Sequence, residues 1–159
     1  MKTVIYPGTF DPITIGHVDL VERAAAIFDK VILAIAFSEK KRPLFTLEER
    51  IDLSQQALAH VPNVEFLGYS NLLVDFARQN NARFVLRGVR QIADFEYELQ
   101  LANMNRAMYP EMETVFLTPS ENCAFISSTL VREIASMKGQ FDQFVPPVVA
   151  AALRAKFGA

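Results

Sequence analysis

The run Val31–Phe37 is continuously apolar, and it constrains the fold more than any other feature of the chain. An amphipathic helix or a half-exposed strand breaks up its apolar residues with polar ones. A short unbroken run suits a parallel strand covered on both faces, and such a strand needs helices above and below it. The flanking sequence supplies them. From about Gly16 to Phe28, Val18, Val21, Ala25 and Phe28 form a stripe at helical spacing. Thr46-Leu-Glu-Glu49 has the spacing of a capping box, opening a helix to about Ala59.

The alternation continues along the chain. Thr3–Tyr6 reads as a first strand followed by a loop from Pro7 to Pro12, because proline and glycine punctuate that stretch. Val64–Leu67, Arg83–Arg87 and Glu113–Leu117 read as further strands. Leu72–Gln79 reads as a short helix and Asp94–Met108 as a longer one stopped by Pro110. Ser127 opens another helix, and Val148–Phe157 forms the last. Alternation of strand and helix predicts an α/β fold with a doubly wound parallel sheet. With 159 residues, 51% of them hydrophobic and 21% charged, the chain fits one domain spanning residues 1–159, burying roughly 68 to 70% of its unfolded surface.

Composition narrows the function. Sixteen basic residues against eighteen acidic ones give a net charge of −2, which argues against nucleic-acid or membrane-surface binding through overall charge. No apolar run approaches the roughly 20 residues that span a bilayer, and the first residues lack the layout of a secretory signal. A single cysteine, Cys123, and two histidines, His17 and His60, leave no intrachain disulfide and disfavour a closed zinc site. These features fit a cytoplasmic protein.

In a doubly wound sheet ligands bind beyond the carboxyl ends of the strands, which directs attention to the loops at Pro7–Ile15, Ser38–Phe45, Gly88–Ala93 and Thr118–Ile126. Neither GxGxxG nor the Walker pattern is present there. Gly8-Thr9-Phe10 and Thr14-Ile-Gly-His17 stand at the first helix start instead, where free N–H groups and the dipole favour an anion. His17 suits phosphate donation, but taken alone a capping or packing role suits it better. Ile126-Ser-Ser-Thr-Leu-Val-Arg132 gathers three hydroxyls at a helix start with an arginine one turn inside. Arg87-Gly-Val-Arg90 sets two guanidinium forks around a glycine, fit for phosphate or for surface ion pairs. Lys40-Lys41-Arg42 is a basic loop, and Met104, Met108 and Met112 with Tyr109 form an apolar cluster suited to core or interface. His60 reads as a helix-end residue with no partner.

Taken together, Tyr6-Pro-Gly-Thr-Phe-Asp-Pro-Ile-Thr-Ile-Gly-His17, Phe45-Thr-Leu-Glu-Glu-Arg50, Arg87-Gly-Val-Arg90, Asp94-Phe-Glu-Tyr-Glu98 and Ile126-Ser-Ser-Thr-Leu-Val-Arg132 resemble the bacterial phosphopantetheine adenylyltransferase family. The resemblance covers almost the whole chain and implies a Rossmann-like nucleotidyltransferase fold. It implies adenylyl transfer from ATP to 4′-phosphopantetheine with Mg²⁺, giving dephospho-coenzyme A and pyrophosphate. It implies a homohexamer, inhibited by coenzyme A.

By the same resemblance His17, Lys41 and Arg87 carry the reaction, with Thr9, Lys41, Leu73 and Arg87 holding the acceptor. Thr9, Phe10, His17, Gly88, Val89, Arg90, Glu98 and the segment Cys123, Ala124, Phe125, Ile126, Ser127, Ser128 and Thr129 line the ATP site. Thr14 stands where the wider superfamily often has a histidine, and is expected to act as a weaker donor. Cys123 stands where relatives often carry an aromatic residue. The rival readings are a transferase for nicotinamide mononucleotide or a small alcohol phosphate, and a non-catalytic nucleotide- or tRNA-binding module.

Overall fold

The computed structural model describes residues 1–158. Five parallel strands, β1 (Thr3–Gly8), β2 (Lys30–Ala36), β3 (Val64–Tyr69), β4 (Phe84–Gly88) and β5 (Glu113–Leu117), lie in the order β3-β2-β1-β4-β5. Helices α1 (Ile15–Ile27), α2 (Leu47–Ala57), α3 (Leu73–Gln79), α4 (Ile92–Met108), α5 (Ser128–Ser136) and α6 (Pro147–Phe157) accompany them. The chain winds from β1 outward to β3, then returns through α3 to start again at β4. The switch point therefore falls between β1 and β4.

Alternation along the central strands supplies two cores. Val4, Tyr6, Val31, Leu33, Ile35 and Leu86 face Leu20 and Val21 of α1, Leu53 of α2, Val131 of α5 and Leu153 of α6. Ile5, Ile32, Ala34 and Val85 face Val74, Phe76 and Ala77 of α3 together with Met112. The apolar run predicted as a doubly covered strand is β2, which pairs with β1 on one side and β3 on the other.

One boundary matters for the site. Pro7 and Gly8, expected in a loop, belong to β1 and pair in register with Ala34 and Ile35 of β2. Pairing of β1 with β4 stops at Ile5↔Val85. Proline lacks the N–H that a strand needs toward one neighbour, so the ladder toward β2 persists while β1 and β4 part at their carboxyl ends. That parting opens a crevice at the switch point.

Helix α1 starts at Ile15 on a Thr14 cap and α4 starts at Ile92, each slightly earlier than the sequence pattern indicated, whereas α2 stops at Ala57. His60 lies beyond α2, and its Nε2 is 3.2 Å from the Glu22 carboxylate, so it has a partner on α1. The methionine cluster divides: Met112 is core, while Met104 and Met108 on α4 are exposed. Among the described residues no helix is long and apolar enough to cross a membrane.

Candidate active site

Two cavities adjoin at the carboxyl ends of the strands. The larger, about 800 Å³, lies between the loop after β1 and the loop after β2, with Thr9, Lys41, Arg42 and Arg132 on its walls. The smaller, about 340 Å³, occupies the β1–β4 parting and is lined by Gly8, Arg87, Gly88, Arg90, Cys123 and the start of α5. His17, Ser128 and Thr129 line both. A linear substrate pair meeting end to end would have its junction at these three residues.

The cap of α1 fixes the state of His17. Its Nδ1 accepts the Thr14 backbone N–H at 3.0 Å, and Thr14 Oγ1 accepts the His17 backbone N–H at 3.4 Å. An accepting Nδ1 puts the proton of the neutral ring on Nε2, and Nε2 has no protein partner among the described residues. The ring also packs edge-on against Phe10 at 4.9 Å. Burial, with the Arg90 guanidinium adding to it, lowers the His17 pKa from 6.5 to about 4. His17 is therefore a neutral Nε2–H donor at neutral pH. Thr14, expected as a weak ligand donor, is buried and spends its hydroxyl on this cap.

The three hydroxyls at the start of α5 are not equivalent. Ser127 Oγ caps the helix by accepting from Leu130 N–H at 3.1 Å, and Ser128 Oγ donates to the Pro12 carbonyl at 2.8 Å. Thr129 Oγ1 accepts from Arg132 at 3.4 Å, which leaves its own proton available. Because the Ser127 cap serves only the third helical residue, the N–H groups of Ser128 and Thr129 remain for an anion. Arg132 also donates to the Asp11 carbonyl at 2.6 Å, joining α5 to the loop after β1.

The two arginines after β4 differ. Arg87 Nε and Nη2 each donate to the Glu98 carboxylate at 2.7 Å, so Nη1 is the nitrogen left for a ligand. Glu98, 8% exposed, lines a narrow cleft with Arg87 and Leu73 instead of either large cavity. Arg90 donates to the Ile126 carbonyl at 2.9 Å and holds the loop after β4 against the start of α5. Val89 N–H donates to the Leu117 carbonyl at 3.1 Å.

Cys123 is buried on the wall of the smaller cavity, and burial raises its thiol pKa. Ala124 and Phe125 lie on the exposed side of the same segment, Phe125 packing edge-on to Phe144. Lys41 is exposed on the wall of the larger cavity, and its ammonium has no protein partner among the described residues.

The cytidylyltransferase-like family model matches residues 5–134. Over 157 residues the chain is 57% identical to phosphopantetheine adenylyltransferase of Hahella chejuensis, which spans 99% of this chain and 98% of that protein. The chain belongs to the phosphopantetheine adenylyltransferase family. Solved structures agree on the fold. A bifunctional NMN adenylyltransferase/ADP ribose pyrophosphatase from Francisella tularensis superposes with a TM-score of 0.74 at 15% identity, over 99% of this chain and 49% of that one. A candidate nicotinate-nucleotide adenylyltransferase from Vibrio parahaemolyticus gives 0.71 at 17% identity, over 99% and 95%.

Two residues on the wall of the larger cavity, Asp11 and Arg50, escaped individual notice in the sequence. Each sits inside a quoted motif but acts through bonds to residues 5 to 41 positions away.

Proposed function

We infer that the protein transfers the adenylyl group of ATP to 4′-phosphopantetheine, forming dephospho-coenzyme A and pyrophosphate. The observation that carries this reading is the junction of two cavities at a neutral histidine donor, in a chain 57% identical to a phosphopantetheine adenylyltransferase. An oxygen of the acceptor's phosphate bonds to the α-phosphorus of ATP, the bond to the bridging oxygen breaks, and pyrophosphate leaves. A phosphate monoester is largely ionised at neutral pH, so no side chain needs to remove a proton. The protein has to align two anions and stabilise charge as it develops.

His17 Nε2–H serves the α-phosphate, and Lys41 bridges that phosphate and the acceptor. Arg87 holds the acceptor through Nη1, and Leu73, which lines the narrow cleft beside Arg87 and neither large cavity, is assigned to the acceptor by the family resemblance alone. Thr9 and Phe10, Gly88 and Arg90, Cys123 and the Ile126–Thr129 segment surround the nucleotide, while Val89, Ala124 and Phe125 line neither cavity. Glu98 acts in this scheme by orienting Arg87.

Mg²⁺ neutralises triphosphate charge in such reactions. No group of three or more His, Cys, Asp or Glu side chains suited to a metal occurs among the described residues. The nearby carboxylates are committed: Asp11 to two backbone N–H groups, Glu98 to Arg87, and Asp19 to Ser120 and Arg23. These residues do not fit a protein-held metal, whereas Mg²⁺ carried on the ATP phosphates requires no such cage. The steps above do not depend on it.

We further propose a cytoplasmic homo-oligomer, a hexamer by family resemblance, with coenzyme A as an inhibitor that occupies the acceptor's path. Helix α4 supports association: between the polar residues of its outer face it exposes Ile92, Phe95, Tyr97, Leu99, Met104 and Met108. So many exposed large apolar side chains on one helix suit an interface. Light scattering is expected to give several times the protomer mass, and a monomer at assay concentration would refute the proposal. The activity itself is tested by acceptor-dependent pyrophosphate release, expected with 4′-phosphopantetheine and not with nicotinamide mononucleotide or glycerol phosphate. ATP binding without pyrophosphate release would favour a binding module instead.

A further inference from the structure

Lys41 lies in a ten-residue connection, 37–46, whose first half is exposed and whose local ties near Lys41 are its own N–H to the Ser38 carbonyl and Lys40 N–H to Ser38 Oγ. Such a segment does not hold an ammonium in place by itself. Two buried charges hold it from outside. The Asp11 carboxylate, in the loop after β1, accepts from Leu44 N–H at 2.8 Å through one oxygen and from Phe45 N–H at 2.9 Å through the other. Arg50 of α2 donates from Nε to the Phe45 carbonyl at 3.1 Å. Its Nη1 donates to the Thr9 carbonyl at 2.9 Å and the Ala36 carbonyl at 2.7 Å. Asp11 and Arg50 are each 3% exposed, and Phe45 is 1% exposed.

These five bonds fix both ends of the Lys41 loop to the segment that carries Thr9 and Phe10. Phe10 in turn packs on the His17 ring. The two walls of the larger cavity are thereby held at a set separation. We propose that Asp11 and Arg50 are positioning residues that set Lys41 relative to Thr9 and His17, so that both reactants are held for in-line attack. Neither residue transfers a proton or takes the place of Lys41. The inference rests on the role given to Lys41 in the proposed reaction.

Asp11→Asn tests it, because an amide keeps the shape but offers one acceptor oxygen where two N–H groups need one each. Misplacement by about 1 Å costs up to about 10²-fold in rate. With Lys41 present, Asp11→Asn is expected to lower kcat roughly 10- to 100-fold while the KM for ATP changes little. In a Lys41→Ala background it should change kcat by less than about threefold, since a residue acting through Lys41 has nothing left to act on. Arg50→Lys, which cannot fork to three carbonyls, should give the same pattern. Equal fold losses in both backgrounds would overturn the proposal, as would a folded Asp11→Asn enzyme with unchanged kcat. Failure of both variants to fold would make the pair a structural tie and overturn it too. If Lys41→Ala alone keeps full kcat, the role of Lys41 and this inference fall together. Pyrophosphate release from 4′-phosphopantetheine would still stand.

Discussion

Replacing His17 by alanine is expected to lower kcat by about 10²- to 10³-fold, equivalent to roughly 3 to 4 kcal/mol of transition-state stabilisation. The KM for ATP should change little, because a donor aimed at charge that develops during the reaction contributes chiefly to the barrier. The variant should also lose about 1 kcal/mol of stability, since the Thr14 N–H loses its acceptor at Nδ1. For a chain of this size that is a fall of about 2 to 4 °C in Tm. The two effects are separable: kinetics report Nε2, and thermal unfolding reports Nδ1. A His17→Ala enzyme with kcat within about threefold of the parent would remove Nε2 from the reaction.

Replacing Arg87 by alanine should produce the largest loss of stability, and for a reason distinct from its effect on substrate. The Glu98 side chain is about 10% exposed, and both of its oxygens are held by Arg87. Removing the arginine leaves a buried carboxylate unpaired, which costs about 3 kcal/mol and lowers Tm by roughly 6 to 12 °C. The KM for 4′-phosphopantetheine should rise about 10- to 100-fold through loss of a charge-assisted bond. Adding Glu98→Gln to Arg87→Ala should restore most of the stability, because a neutral amide carries a smaller desolvation cost than an unpaired charge. It should restore none of the affinity. Recovery of both together would show that Arg87 serves packing alone, and an undiminished Tm in the single variant would contradict the burial argument.

The sheet was legible because Val31–Phe37, Arg83–Arg87 and Glu113–Leu117 combine apolar character with strand length, and parallel order follows from alternation with helices. Pro7 misled for a local reason: proline usually ends a strand, but here it ends only the pairing toward β4, and that end is what creates the crevice. His17 was visible by position. Its neutrality was not, because burial and Arg90 set it in the structure. The Arg87–Glu98 pair joins residues eleven apart across a strand and a helix, so its members read separately as a phosphate fork and a nucleotide contact. Asp11 and Arg50 were hidden further, because their partners are backbone groups of distant loops and backbone leaves no mark in side-chain patterns. The outward face of α4 kept a mixed pattern, and only packing reveals that Met112, in the connection after α4, is core while Met104 and Met108 are not.

The central claim is adenylyl transfer to a phosphate that needs no protein base, with His17 as a neutral donor. It is tested most directly by the pH dependence of 4′-phosphopantetheine-driven pyrophosphate release, measured as kcat/KM from about pH 5.5 to 9.5. The rate should rise through about pH 6 as the acceptor's phosphate becomes a dianion. It should then stay level until lysine begins to titrate near about 10, because His17, with its pKa lowered to about 4, has already lost its second proton below this range. A descending limb between roughly pH 7 and 8 that disappears in His17→Asn would make imidazolium the working form and contradict the account. So would the absence of acceptor-dependent pyrophosphate at every pH.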